Sequence, residues 1–167
     1  LRERLRLDLV EFARVCYPHI VTADFGKPHL DLLAALQSAM LNGESAVLAL
    51  PRGYGKSSLA LIAATWAILY AHRRYVLLIG ASAMAGKRLI RNIRSELLYN
   101  PVIGAANVTP DSNDEELTDG GLYPEVTYPL SKIGAANRRA AGQLYHGEPT
   151  RAILSADRIE LPTIGRL

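Results

Sequence analysis

The sequence predicts an α/β protein, a parallel sheet flanked by helices and incomplete within these residues. Three observations carry this. Two short apolar runs, "SAVLALP" (45–51) and "RYVLLIGAS" (74–82), are bounded by turn residues and read as buried strands. Each is followed by a segment of helical pattern, 56–72 and 83–100. Continuous apolar strands alternating with helices are the pattern of parallel strands covered on both faces.

The elements follow in chain order. Leu5, Leu9, Phe12 and Cys16 recur at helical spacing with charges between them, so 1–16 is expected to form one amphipathic helix. Tyr17-Pro18 ends it, because a residue before proline is pushed out of the α region. A loop follows over 21–27. Pro28 suits the first turn of a second helix reaching Leu41, and Asn42-Gly43 stops it. The helix over 56–72 is apolar nearly all round and should be covered on several sides. The helix over 83–100 is closed by Asn100-Pro101. Residues 101–130, rich in Pro, Gly, Asn and Asp, read as a long connection with a short helical turn near 114–117. Residues 133–145 carry a helical pattern weakened by Gly134 and Gly142; "RAILSA" and "RIELP" read as two short strands. On this pattern 1–44 is a helical lead-in and 45–167 a partial nucleotide-binding core.

Composition narrows the function. With 49% hydrophobic and 21% charged residues, the chain matches a soluble globular domain. The longest apolar run, 59–71, is too short to cross a bilayer, and Arg2, Glu3, Arg4 and Arg6 exclude a signal-peptide pattern at the start. No membrane partner is expected. A start at Leu1 suggests a piece of a longer protein. Cys16 is the one cysteine, which forbids an internal disulfide and is compatible with a reducing compartment. The four histidines show no metal-ligand spacing. Charge is segregated. Residues 45–110 hold eight basic residues against Glu96, a net +7, whereas 111–125 hold six acidic residues and no basic one. A concentrated positive field suits a polyanion, a nucleoside triphosphate or a nucleic acid, and is equally found on plain solvated surfaces.

The motif that carries chemistry is "ALPRGYGKSSLAL" (49–61). It ends as a phosphate-binding loop does, with Gly55, Lys56 and Ser57. Its entrance differs: Leu50 stands where G-x-x-x-x-G-K-[ST] has its first glycine. The expected strand before and helix after supply the context such a loop needs. A helix N-terminus presents unpaired N–H groups and a positive dipole end to phosphate. Gly53 and Gly55 permit backbone conformations that residues with a Cβ rarely adopt. Pro51, Arg52, Gly53, Tyr54, Gly55, Lys56, Ser57 and Ser58 are therefore the candidate nucleotide contacts. Lys56 would reach the β- and γ-phosphates, and Ser57 would ligate Mg²⁺ through its hydroxyl. Pro51 stiffens the entrance in place of the glycine. Two roles are open to Arg52: a contact to the γ-phosphate or a neighbouring subunit, or a solvated loop charge.

Together "LPRGYGKSSLA", "FGKPHLDLL", "YPEVTYPL" and "AAGQLYHGEPT" make most of the chain resemble the large terminase subunit of tailed bacteriophages, the ATP-driven motor that packages DNA into capsids. The resemblance implies an additional-strand, RecA-like P-loop fold, with ATP and Mg²⁺ as cofactors. It implies Lys56 and Arg52 as catalytic residues, Arg52 matching a loop arginine linked to hydrolysis or to signalling between subunits. Family members recognise adenine upstream of the loop, and His29 stands at a comparable place; it is otherwise an ordinary first-turn residue. Double-stranded DNA, held by phosphate contacts, other motor subunits, the portal and the small terminase subunit are the implied partners. The implied location is the cytoplasm of the infected bacterial host.

The sequence departs from the family's pattern in one respect. No run of four apolar residues is followed by Asp-Glu, the acidic strand end that holds Mg²⁺ and activates water. "AILSAD", ending at Asp157, comes nearest, but Arg158 follows where a glutamate is needed. The family's nuclease domain is also missing. The expectation is the first part of a terminase ATPase domain, binding nucleotide weakly and hydrolysing little in isolation. Other P-loop DNA-dependent ATPases, a helicase or a loader of the AAA+ class, and a non-catalytic nucleotide-binding assembly module remain open. Lys87, Arg91 and Arg94 form a basic stripe at i, i+4 and i+7, with Arg88 beside it and Leu89, Ile90, Ile93 and Leu97 opposite. The stripe fits DNA phosphate, another subunit or solvent.

Overall fold

The computed structural model describes residues 1–104, 121–127, 144–145, 148–155 and 158–161. Five helices dominate: α1 (Arg2–Arg6), α2 (Leu9–Cys16), α3 (Lys27–Asn42), α4 (Lys56–Leu69) and α5 (Ala83–Tyr99). Four two-residue strands follow: β1 (Leu144–Tyr145), β2 (Glu148–Pro149), β3 (Ile153–Leu154) and β4 (Ile159–Glu160). The chain divides into two compact units, Leu1–Leu77 and Leu78–Leu167.

The first unit is all helical. Its core is Leu5, Leu9, Phe12, Ala13, Cys16 and Tyr17 from the N-terminal segment, with Leu32 and Leu33 from α3. Leu59, Ile62, Ala63, Trp66 and Ala67 come from α4. The expected single helix over 1–16 is broken in two. Asp8 leaves the helical region (φ −129°, ψ 97°) and its carboxylate accepts from Glu11 N–H at 2.9 Å, an N-cap that starts α2. Gln37 of α3 closes the break from the other side: its amide accepts from Leu9 N–H at 2.8 Å and donates to Leu7 C=O at 3.1 Å. Apolar spacing continues through the break, so spacing alone does not see it.

The C-terminal end of α4 caps α1. Trp66 Nε1–H donates to Leu5 C=O (2.9 Å), Tyr70 O–H to Arg2 C=O (2.8 Å), and His72 Nε2 lies 2.8 Å from Arg6 C=O. A short helix leaves its last carbonyls without intrahelical partners; Trp66 and His72 supply those of Leu5 and Arg6, while Tyr70 holds the first residue. Gly43, in the left-handed region (φ +80°), ends α3 as its place after Asn42 predicts. Arg73 donates to Ala39 C=O at the same end, at 3.3 Å.

The expected parallel sheet is not formed. Neither 45–51 nor 74–82 is a strand or pairs with one among the described residues. Both runs carry exposed apolar side chains: Val47 is 98% accessible, Ile79 83% and Tyr75 78%. The strands that do form are two antiparallel pairs, β1 with β2 and β3 with β4. The α/β, RecA-like assignment is therefore corrected to a mainly helical one. An apolar run of strand length shows only that a segment can be buried. A strand also needs a neighbour for its N–H and C=O groups. "RAILSA" and "RIELP" do contain the strands expected of them. The helix expected over 133–145 gives way at its end to β1, and its remainder lies outside the described residues.

In the second unit, Ser82 caps α5, its Oγ accepting from Ala85 N–H. Gly80 passes so close to α5 that a Cβ there would meet Gly86 N at 2.5 Å. Asn100 ends the helix and holds the next turn, its Oδ1 accepting from Val102 and Ile103 N–H. Among the described residues of this unit, Ile93, Leu97, Ile103, Tyr123, Val126 and Ala152 are the buried apolar ones.

Candidate functional site

The GKS segment sits where a loop turns into a helix. Gly53 (φ +87°) and Gly55 (φ +66°, ψ 12°) both occupy the left-handed region, and a Cβ at either would meet nothing within 4 Å. Glycine is needed here for its backbone conformation and not for space. Gly55 is the N-cap of α4, and no side chain caps the helix. The N–H groups of the first turn, with the positive end of the helix dipole, therefore face a loop that is exposed from Pro51 to Gly55.

Lys56 is the first residue of α4. Its ammonium folds back over the loop entrance and donates to Leu50 C=O at 2.5 Å and Pro51 C=O at 2.6 Å. Ser57 is exposed and Ser58 half-buried. Arg52 is exposed and makes no hydrogen bond or ion pair among the described residues.

His29, in the first turn of α3, comes to the same place. Its ring stacks on Tyr54 of the loop, with centroids 5.8 Å apart and planes 28° apart. The Phe25 ring also lies 6.1 Å from that of His29, and the Arg14 guanidinium stands 5.6 Å over the Phe25 ring. The Nδ1 atom of His29 is buried without a hydrogen-bond partner. Spacing could not reveal this contact, since 24 residues and a bend separate the two rings. A cleft of about 380 Å³ runs along α3 to the loop entrance. Lys27, Pro28, Asp31 and Leu32 line one wall and Val47 to Leu50 the other. Lys27 and Asp31 pair across one helical turn at 2.8 Å.

The second unit carries the basic face. Lys87, Arg88 and Arg91 are exposed on α5 and Arg94 is half-buried. Ile93 and Leu97 are buried on the other side, while Leu89 and Ile90 are only half-buried. Asp157, Gln143 and the acidic residues over 111–119 lie outside the described residues.

Among the described residues no cluster of His, Cys, Asp and Glu has the make-up of a metal site, and no helix is long and apolar enough to cross a membrane. Burial pushes the Cys16 thiol up to about 12, so it is not a nucleophile at neutral pH. Fully buried against the first-unit core, it is a packing residue. No family model, curated protein or solved structure matches the chain.

Proposed function

We propose that residues 51–58 bind the triphosphate of ATP and that the chain is the ATP-binding part of a viral DNA-packaging motor. The observation that carries the first statement is local. Two left-handed glycines lead directly into an uncapped helix whose first residue is a lysine. This arrangement gathers backbone donors, a dipole end and a lysine ammonium at one exposed point, the chemistry an oligophosphate requires. Of the context expected for such a loop, the helix after it is formed and the strand before it is not, so the reading rests on the loop and the start of α4.

The roles follow from the atoms. The N–H groups of the loop and of the first turn of α4 receive phosphate oxygens. Lys56 exchanges two neutral carbonyls for anionic oxygens, which are the stronger acceptors for an ammonium. The Ser57 hydroxyl, exposed one residue on, would ligate Mg²⁺. Bound Mg²⁺ would offset phosphate charge. Arg52, free of protein partners among the described residues, reaches toward the γ-phosphate or a neighbouring motor subunit. The cleft ending at Leu50 offers the base a mostly apolar wall. The exposed cations of α5 suit DNA phosphates, whose contacts carry no sequence information and so serve a motor that moves along any duplex. The motor assignment, the portal and small-subunit partners and the host cytoplasm rest on the terminase resemblance.

Calorimetric titration of the 167-residue chain with ATP, with and without Mg²⁺, tests the loop assignment. The expected result is weak Mg²⁺-dependent binding that Lys56→Ala abolishes, with the Mg²⁺ dependence lost in Ser57→Ala. Equal affinity in wild type and Lys56→Ala would contradict it. Robust ATP turnover by this chain would show that an activating acid lies within it.

A further inference from the structure

We infer that His29 is a positioning residue for the phosphate loop, acting through Tyr54, and that it does not read the adenine base. This rests on the loop reading given above. Tyr54 lies between the two left-handed glycines, where the loop turns most sharply away from extended backbone. Its side chain is 40% accessible, and the His29 ring is the ring stacked on it. His29 itself is fixed at the start of α3: its N–H donates to Gly26 C=O at 2.9 Å, and Phe25 flanks its ring. The stack thus ties the tip of an exposed loop to the end of a sixteen-residue helix.

The nitrogen is not what the contact uses. Nδ1 is buried and makes no hydrogen bond, so it adds a desolvated polar atom and no interaction. A ring face already engaged by Tyr54 is also not free to stack on a base. An aromatic ring at position 29 does the work, and phenylalanine should do it as well as histidine.

The test compares two probes, Mg²⁺–tripolyphosphate, which has no base, and Mg²⁺–ATP. If His29 positions the loop, His29→Ala weakens both by the same factor, about fivefold for loss of one stacked pair. Tyr54→Ala does the same, and the double variant is no weaker than either single one. His29→Phe restores wild-type affinity for both. Because Tyr54 sits on an exposed loop, its variant leaves the helical core intact, which far-UV circular dichroism checks. Weakening of ATP alone in His29→Ala would make His29 an adenine contact and overturn the proposal. So would failure of His29→Phe to restore tripolyphosphate binding. If wild type binds neither probe, the phosphate-loop reading fails separately. The contact is then read from the Gly53 and Gly55 amide resonances, which should move in His29→Ala and return in His29→Phe. Amides unmoved by His29→Ala overturn it.

Discussion

Replacing Gly55 by alanine isolates the loop's backbone conformation from everything else at the site. A Cβ at Gly55 meets no atom within 4 Å, so crowding contributes nothing. The penalty is the left-handed conformation itself, φ +66° and ψ 12°. For a residue with a Cβ this costs about 1–2 kcal/mol. Alanine also restricts the unfolded chain, which returns about 0.4–1 kcal/mol. The net loss of stability in the first unit is therefore about 1 kcal/mol. The competent loop population falls by the full strain, roughly five- to thirtyfold, and apparent Mg²⁺–ATP affinity falls with it. Trp66 is the one tryptophan and is fully buried in the first unit, so its fluorescence during urea unfolding reports that unit. Gly86→Ala is the matched control. It lies inside α5, without positive φ and with open space for a Cβ, and should stabilise its own unit by about 0.8–1 kcal/mol. A Gly55→Ala variant as stable as wild type, with unchanged ATP affinity, would refute the claim that the left-handed conformation of this glycine shapes the loop.

Three further outcomes are expected. Trp66→Phe removes the donor to Leu5 C=O and leaves that carbonyl buried, a loss of about 1–3 kcal/mol in unfolding followed by circular dichroism; under about 0.5 kcal/mol would mean the bond holds nothing. Burial, with the nearby Arg6 and Arg73 charges, holds His72 below its usual value of 6.5, so the unfolded chain binds the proton more readily. The stability this gives is complete above about pH 6.5 and is lost as pH falls through the lower folded value; His72→Gln should flatten that slope of the urea midpoint. Replacing Lys87, Arg88 and Arg91 by glutamine should reduce the salt slope of duplex DNA binding by about 2–3 in log–log form. An unchanged slope would place DNA away from α5.

Helices were more legible in the sequence than strands, for a physical reason. The stop at Asn42-Gly43, the start at Lys56 and the stop at Asn100-Pro101 are local events, decided by one or two residues and a few hydrogen bonds within reach. The runs at 45–51 and 74–82 looked equally definite, but a strand depends on a partner that no local pattern names, and there none is found among the described residues. The break at Leu7–Asp8 was local too and was written as Asp8-x-x-Glu11; the apolar spacing running through it masked the cap. At the candidate site Gly53 and Gly55 were legible as residues free to take left-handed conformations, and both take them. The His29–Tyr54 stack joins residues far apart in the chain and needed coordinates.

The central claim is that residues 51–58 receive the phosphates. Backbone amide resonances of the isotope-labelled chain, followed while Mg²⁺–ATP is added, test it most directly. The account predicts the largest shifts at Gly53, Gly55, Lys56, Ser57 and Ser58, and their disappearance in Lys56→Ala. Shifts confined to the cations of α5, or the same loop shifts in Lys56→Ala, would contradict it.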